Sequence, residues 1–182
     1  NVKPGETHHA GDPIDPSNPD GPKYPAGLED KDLNQTITRT VIINVPNTQA
    51  KTVTQTAKLH RTASFDAVSG KVTYGKWSEA KFDAVNVPKV AGYTASQANV
   101  AAENVTDGMK DSKVVVNYVA NKQTGEIDYV DAKGNDISKT SISGKTDEIV
   151  KVNVKVPDGW QLVADQHLPG SVKATADGIP TV

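Results

Sequence analysis

The sequence has no cysteine, one methionine and only 5% aromatic residues in 182 positions. Without cysteine there is no disulfide, no thiol nucleophile and no cysteine-ligated zinc or iron–sulfur site. Charge of one sign is lacking too, since a formal net charge of -2 gives no field to capture nucleic acid, an anionic membrane or a polyanionic substrate. No apolar run approaches the ~20 residues of a membrane span, and no secretory leader is visible. A mature fragment would have lost either one, so the compartment stays open.

Valine and threonine are abundant, while leucine is scarce. β-Branched side chains are stiff at χ1 and suit a pleated surface, so a β-dominated protein with thin cores is expected. Cores this poor in rings, with no disulfide, suit small extended modules better than one large globule.

The start differs from the rest. Pro4, Pro13, Pro16, Pro19, Pro22 and Pro25 are interleaved with Asp12, Asp15, Asn18 and Asp20. Each proline fixes its own φ and pushes its predecessor towards extended backbone, which excludes a helix or central strand. Residues 1–31 therefore read as a stiff, solvated linker with turns at Asp-Pro and Asn-Pro. Their acidic residues lack the spacing of a calcium loop.

Folded sequence is expected from Asp32. Thr36–Asn44 and Lys51–Thr62 read as strands, and Phe65–Tyr74 as a hairpin turning at Ser69-Gly70. Along Lys51–Thr62, Thr52, Thr54, Thr56 and Lys58 share one side, opposite Val53, Gln55, Ala57 and Leu59. Ala95–Asn104 is the one stretch with helical character. Lys113–Tyr118 is a further strand. A second strand-rich unit follows: Glu126–Val130, a turn at Asp131–Gly134, a return strand Ile137–Ile142, a turn at Ser143–Asp147, then Ile149–Val156. The alternation of that last segment fits a half-buried strand or an extended segment covering a sheet. The two parts repeat one plan: Val87-Pro88 with Gly92-Tyr93, and Val156-Pro157 with Gly159-Trp160. Repetition of small units points to an array.

Catalytic patterns are missing. There is no G-x-S-x-G elbow, no phosphate-binding glycine loop, and Asp128 and Asp131 are explained by a turn. His8-His9 has no third ligand at a suitable spacing and reads as a flexible surface pair; His60 and His167 read as surface residues. Tyr74, Trp77, Phe82, Tyr93 and Trp160 read as core rings rather than sugar-stacking platforms. No catalytic, metal or cofactor site is expected, so the protein reads as a non-enzyme. The sequence leaves open a Lys–Asn isopeptide cross-link, whose formation would release ammonia, about 17 Da.

The segments DLNQTITRTVIINVP, TVTQTAKLHRTASFDAVSGKVTYGKW, FDAVNVPKVAGYTAS and SKVVVNYVA together resemble the longer mucus-binding module of lactobacillus cell-surface adhesins. GEIDYVDAKGNDI and SISGKTDEIVKVNVKVPDGWQLV resemble the shorter mucin-binding module of the same adhesins, through Tyr129-Val130-Asp131, Gly134, Gly144 and Pro157-Asp158-Gly159-Trp160. The resemblance implies two tandem small β-grasp (ubiquitin-like) modules in an elongated, β-dominated α+β arrangement: the longer over 32–120, the shorter over 121–182, behind the linker 1–31. It implies a repeat of a secreted, cell-wall-anchored surface protein that binds host mucin glycoproteins and, for some repeats, immunoglobulins. It further implies a closing strand like Lys113–Tyr118 in the shorter module. The sequence reaches Thr181-Val182 where that strand would begin, so an unpaired sheet edge is expected there, unless Asn1-Val2-Lys3 is the tail of a preceding module.

Binding is then expected at strand edges and hydroxyls: Thr36, Thr38 and Thr40 of one strand, and Thr52, Thr54, Thr56 and Lys58 of the next. The other class that fits is a structural stalk whose modules carry no ligand of their own. A carbohydrate-active accessory module would need an exposed aromatic platform.

Overall fold

Strand formation dominates because β-branched residues alternate with polar ones over most of the chain. The computed structural model describes residues 1–182. One four-residue helix, α1 (Asp30–Leu33), precedes fifteen strands. These are β1 (Asn34–Ile43), β2 (Lys51–His60), β3 (Ala63–Phe65), β4 (Val72–Tyr74), β5 (Ala80–Phe82), β6 (Val85–Asn86), β7 (Tyr93–Ala95) and β8 (Asn99–Val100). They continue as β9 (Glu103–Val105), β10 (Ser112–Val116), β11 (Tyr118–Ala120), β12 (Lys122–Val130), β13 (Asp136–Lys145), β14 (Ile149–Lys151) and β15 (Ser171–Lys173). No helix is long and apolar enough to cross a membrane.

Two units form. The first contains Asn1–Ile43, Ala50–Asn86 and Asn99–Val115; the second contains Asn44–Gln49, Val87–Ala98 and Val116–Val182. The first is built on a three-stranded sheet of order β10-β1-β2. The β1–β2 pair is antiparallel over its whole length, from Asn34 opposite His60 to Ile43 opposite Lys51. β10 runs in the direction of β1: the Thr38 N–H meets Asp111 near its start, and the Asn44 N–H meets the Val116 carbonyl at its end. Ile37, Ala57, Leu59, Phe82 and Val105 form the core under this sheet, with Trp77, Ala80 and Met109 packed against it. Each fully buried Leu or Phe contributes about 1.5–3 kcal/mol.

The proline-rich start has no helix and only isolated bridges, as its prolines dictate. It differs from the solvated linker expected from composition because apolar residues at its two ends are buried. Val2 bridges to Ala63, and Val2, Leu28, Leu33 and Ala63 form a second small core with Tyr24, Phe65 and Val72. His8 stacks on Tyr24 with ring centroids 3.9 Å apart and lies 3.1 Å from the Glu6 carboxylate, so it is held in place rather than free.

The expected helical character of Ala95–Asn104 is corrected. β7, β8 and β9 cover that stretch and pair with β11, β6 and β5. Its alanines favour helix, but Ser96, Asn99, Val100 and Asn104 do not, and a stretch this short yields to the strand partners β11, β6 and β5. The hairpin expected at Ser69-Gly70 is formed by β3 and β4, with Phe65 opposite Val72.

In the second unit β12 and β13 form a long antiparallel hairpin. Asp131 stabilises its turn by accepting from the Lys133 and Asn135 N–H groups and from the Asn135 side chain. Ile127, Ile142, Val152, Ala174 and Ile179 form the core. After β14 the chain leaves the ladder, yet Val152 and Val154 still face this core. The Ile149–Val156 segment thus covers the sheet more than it joins it. Val182 lies parallel to β12, donating to the Glu126 carbonyl and accepting from the Asp128 N–H.

A carboxylate ties several segments of this unit together. Asp147, at φ 69°, accepts from the Tyr93 hydroxyl at 2.7 Å and from the Asn47 amide at 2.8 Å, and pairs with Lys173 at 3.2 Å. The Tyr93 hydrogen bond first, then those from Asn47 and Lys173, holds the Asp147 carboxyl below its ordinary range; the same contact raises the Tyr93 hydroxyl. A folded pKa below the unfolded one stabilises the fold above the unfolded pKa, and that contribution disappears as pH falls through the folded value. The expected outcome is that Asp147→Asn lowers the thermal midpoint at pH 7, and that its gap from wild type closes as pH drops below about 4. Parallel melts of the two proteins from pH 7 to pH 2 check this; a gap independent of pH contradicts it.

Candidate ligand-binding face

The face opposite the first unit's core is set by β-strand alternation. On β1, Ile37, Arg39, Val41 and Ile43 are buried, so Thr36, Thr38 and Thr40 point the other way. On β2, Ala57 and Leu59 are buried, and Thr52, Thr54, Thr56 and Lys58 are exposed. Register joins the two rows: Thr36 stands opposite Lys58, Thr38 opposite Thr56, Thr40 opposite Thr54, and Ile42 opposite Thr52. All seven residues expected from the sequence thus lie on one face of one hairpin.

Their edge roles differ. β2 is the outer strand of the three-stranded sheet, whereas β1 lies between β2 and β10. The expectation of an edge at Thr36–Asn44 is therefore corrected: both backbone sides of β1 are already paired. Thr36, Thr38 and Thr40 therefore offer only their hydroxyls. Six threonine hydroxyls beside one ammonium form a neutral-to-cationic hydrogen-bonding surface.

Arg39 was not singled out from sequence, although it stands in phase with Ile37, Val41 and Ile43. It is buried beneath the face, with its guanidinium donating to Gln55, to the Ala101 carbonyl and to the Asp83 carbonyl at 2.8–2.9 Å. It also lies 5.1 Å from the Phe82 ring centroid. This anchors β1 and β2 to the segments below and fixes the pleat that presents the threonines.

The rings divide. Phe82 is core. Tyr74 and Trp77 sandwich the Arg61 guanidinium at 3.6 and 4.6 Å, and the Tyr74 hydroxyl donates to the Gly27 carbonyl. Tyr93 is half-buried against Asp147. Trp160 departs from the expected core role, being 49% exposed. The repeated glycine–aromatic motif explains part of this: Gly92 and Gly159 both adopt φ near 80°, at 79° and 81°, so the backbone turns alike, but only Tyr93 finds a polar anchor. No group of three or more His, Asp or Glu side chains is placed to hold a metal ion.

A β-strand-built, nearly helix-free chain with a hydroxyl-rich sheet face is the class these features define. The chain belongs to the Muc B2-like domain family, which it matches over residues 28–122. Among solved structures it is similar to the mucin-binding domain of a Streptococcus pneumoniae protein, with 32% identity over 48% of this chain and 91% of that one, at a TM-score of 0.42. It is similar to the type 2 repeat of the mucus binding protein MUB from Lactobacillus reuteri, with 28% identity over 48% of this chain and 50% of that one, at a TM-score of 0.39. It is also similar to the MucBP domain of the adhesion protein from Pediococcus pentosaceus, with 33% identity over 48% of this chain and 99% of that one, at 0.37. No curated protein was found to match the chain.

Proposed function

We propose that the chain is a repeat unit of a bacterial cell-surface adhesin that binds host mucus glycoproteins through the β1–β2 face. The observation that carries the reading is the register placing Thr36, Thr38, Thr40, Thr52, Thr54, Thr56 and Lys58 on one face of a chain of this family. Glycans offer hydroxyls and carbonyls to such a surface. Each contact is weak, and repetition along a cell-wall-anchored parent supplies avidity. The outer backbone of β2 is the candidate site for immunoglobulin strands. We assign residues 32–120 and 121–182 to two tandem β-grasp modules, with Asn44–Gln49 and Val87–Ala98 of the longer one lying in the second compact unit. The family match over 28–122 and a separate core drawn only from Ile127, Ile142, Val152, Ala174 and Ile179 support that division.

The test is surface plasmon resonance on immobilised mucin and immunoglobulin. The triple variant Thr38→Ala, Thr54→Ala, Thr56→Ala is expected to reduce mucin binding at least about tenfold. Its melting point should stay near wild type, because substitutions away from the core usually cost under about 0.5 kcal/mol each. Equal binding by wild type and variant removes the face from the function, and no response from wild type favours a structural stalk.

A further inference from the structure

The outer row of β2 is made of backbone groups, and strand parity assigns them. The Thr38 N–H donates to Asp111 on the β10 side, so Thr38 does not bond its partner Thr56, and the backbone of Thr56 faces outward from β2. His60 agrees: its N–H donates to the Ser78 hydroxyl and its carbonyl accepts from the Ser78 N–H, both on that outer side. Alternation then turns the N–H and C=O of Thr52, Thr54, Thr56 and Lys58 outward as well. None of these groups meets a donor or acceptor of the chain. Residues 75–78 close the row at His60, and Lys58 is the first open position.

Long sheet edges are usually blunted by proline, a bulge or an inward-pointing charge. Between Lys51 and Lys58, β2 has none of these, and its pairing with β1 runs without a register shift. The two lysines frame the open run instead of interrupting it. The run is centred on Gln55, and its outward residues are symmetric about that position. An antiparallel copy placed two-fold about Gln55 sets Thr54 opposite Thr56 and Thr52 opposite Lys58, so every outward residue meets an outward residue. Each such pair exchanges both of its N–H···O=C bonds. On the exposed face Thr54 stands beside Thr56, a favourable cross-strand pair. On the opposite face Val53 meets Ala57. The two Lys58 side chains lie about 20 Å apart along the strands, so like charges do not meet. A shift of two residues one way brings Thr52 against His60, which Ser78 already holds; the other way leaves Lys58 beyond the end of β2.

We infer that two copies of the chain associate through their β2 edges, antiparallel about Gln55. Two three-stranded sheets become one continuous sheet, and two hydroxyl faces become one. A second copy is the occupant because its own edge repeats the same spacing of donors, acceptors and lysines, and so complements the row without a foreign sequence. The contact uses backbone, whereas the reading of mucus binding uses hydroxyls, so the two stand apart. A second copy and an immunoglobulin strand compete for the same row.

Sedimentation equilibrium of the whole 182-residue protein from about 10 μM to 1 mM spans the affinities open to a contact this small. A monomer–dimer equilibrium is expected. Thr54→Pro removes an outward N–H and no bond to β1, so it should weaken the dimer at least about tenfold while the melting point stays near wild type. The triple variant Thr38→Ala, Thr54→Ala, Thr56→Ala keeps every backbone group and should still dimerise, which separates this inference from mucin binding. In wild type, hydrogen exchange at Thr52, Thr54, Thr56 and Lys58 should slow as concentration rises, while Val53 and Gln55, bonded to β1, stay protected throughout. That measurement decides the matter if the proline variant fails to fold. A monomer at every concentration, a dimer unchanged in a folded Thr54→Pro protein, or exchange at those amides independent of concentration overturns the inference. A monomer whose Thr54→Pro variant loses immunoglobulin binding overturns it too, and gives the row to an immunoglobulin strand.

Discussion

Arg39→Ala is expected to destabilise the first unit by about 3 kcal/mol or more. The side chain is 2% exposed and stands where alternation along β1 demands an apolar residue. Its guanidinium reconciles charge with burial by reaching three acceptors on separate segments: Gln55 on β2, the Asp83 carbonyl after β5 and the Ala101 carbonyl after β8. Glu103, 3.4 Å away, is half-exposed and adds little beyond orientation. Truncation removes three charge-assisted bonds, contact with Phe82 and the volume of the stem at once. Arg39→Met keeps the volume, and Gln55 still donates to Asp83, so it should recover part of the loss. Arg39→Lys should fall between, because one ammonium cannot span the fork. Urea unfolding with hydrogen exchange on β1 reads the result. If all three variants lie within about 0.5 kcal/mol of wild type, the guanidinium does not hold the sheet to the segments beneath it.

Arg39 also shows where sequence reading was strong and where it stopped. Period-two alternation locates β1 and β2 almost to their ends and puts Thr52, Thr54, Thr56 and Lys58 on one side of β2, because side-chain direction along a strand is a local property, whereas the face they share with Thr36, Thr38 and Thr40 follows from the β1–β2 register. Which of those strands is an edge is not local. It depends on β10 returning from about seventy positions away to cover β1. The same limit explains Ala95–Asn104, whose short strands exist only because β5, β6 and β11 offer partners. It explains Val2 and Leu28 as well: composition marks the first thirty residues as linker, but two apolar side chains suffice to fasten them to Leu33 and Ala63. Scarcity of rings makes Trp160 read as core, and Gly159-Trp160 repeats Gly92-Tyr93. The backbone analogy holds at Gly92 and Gly159, while the anchor, Asp147, is supplied to one ring only.

Gly125→Ala should cost the second unit about 3 kcal/mol, against the small gain that replacing glycine usually brings. Glycine to alanine in a strand removes unfolded-state freedom and by itself stabilises by about 0.4–1 kcal/mol. Here a Cβ would sit 2.4 Å from the Ile179 carbonyl oxygen and 2.8 Å from its Cβ, and the first of these is backbone that no rotamer change moves away. The segment carrying Ile179 must shift. That strains the Ile179 N–H bond to Thr124 and both bonds between Val182 and β12, at about 0.5–1.5 kcal/mol each. It also withdraws Ile179, 6% exposed, from its packing against Ile127, Ile142, Val152 and Ala174. The losses exceed the entropic gain several-fold, which sets the sign. Hydrogen exchange should show the amides of Asp128, Ile179 and Val182 losing protection first while those of β1 and β2 keep theirs, and Gly125→Val should do so more severely. A Gly125→Ala protein as stable as wild type, with the Asp128, Ile179 and Val182 amides still protected, would mean that the segment carrying Ile179 yields to the added methyl without losing its bonds to β12.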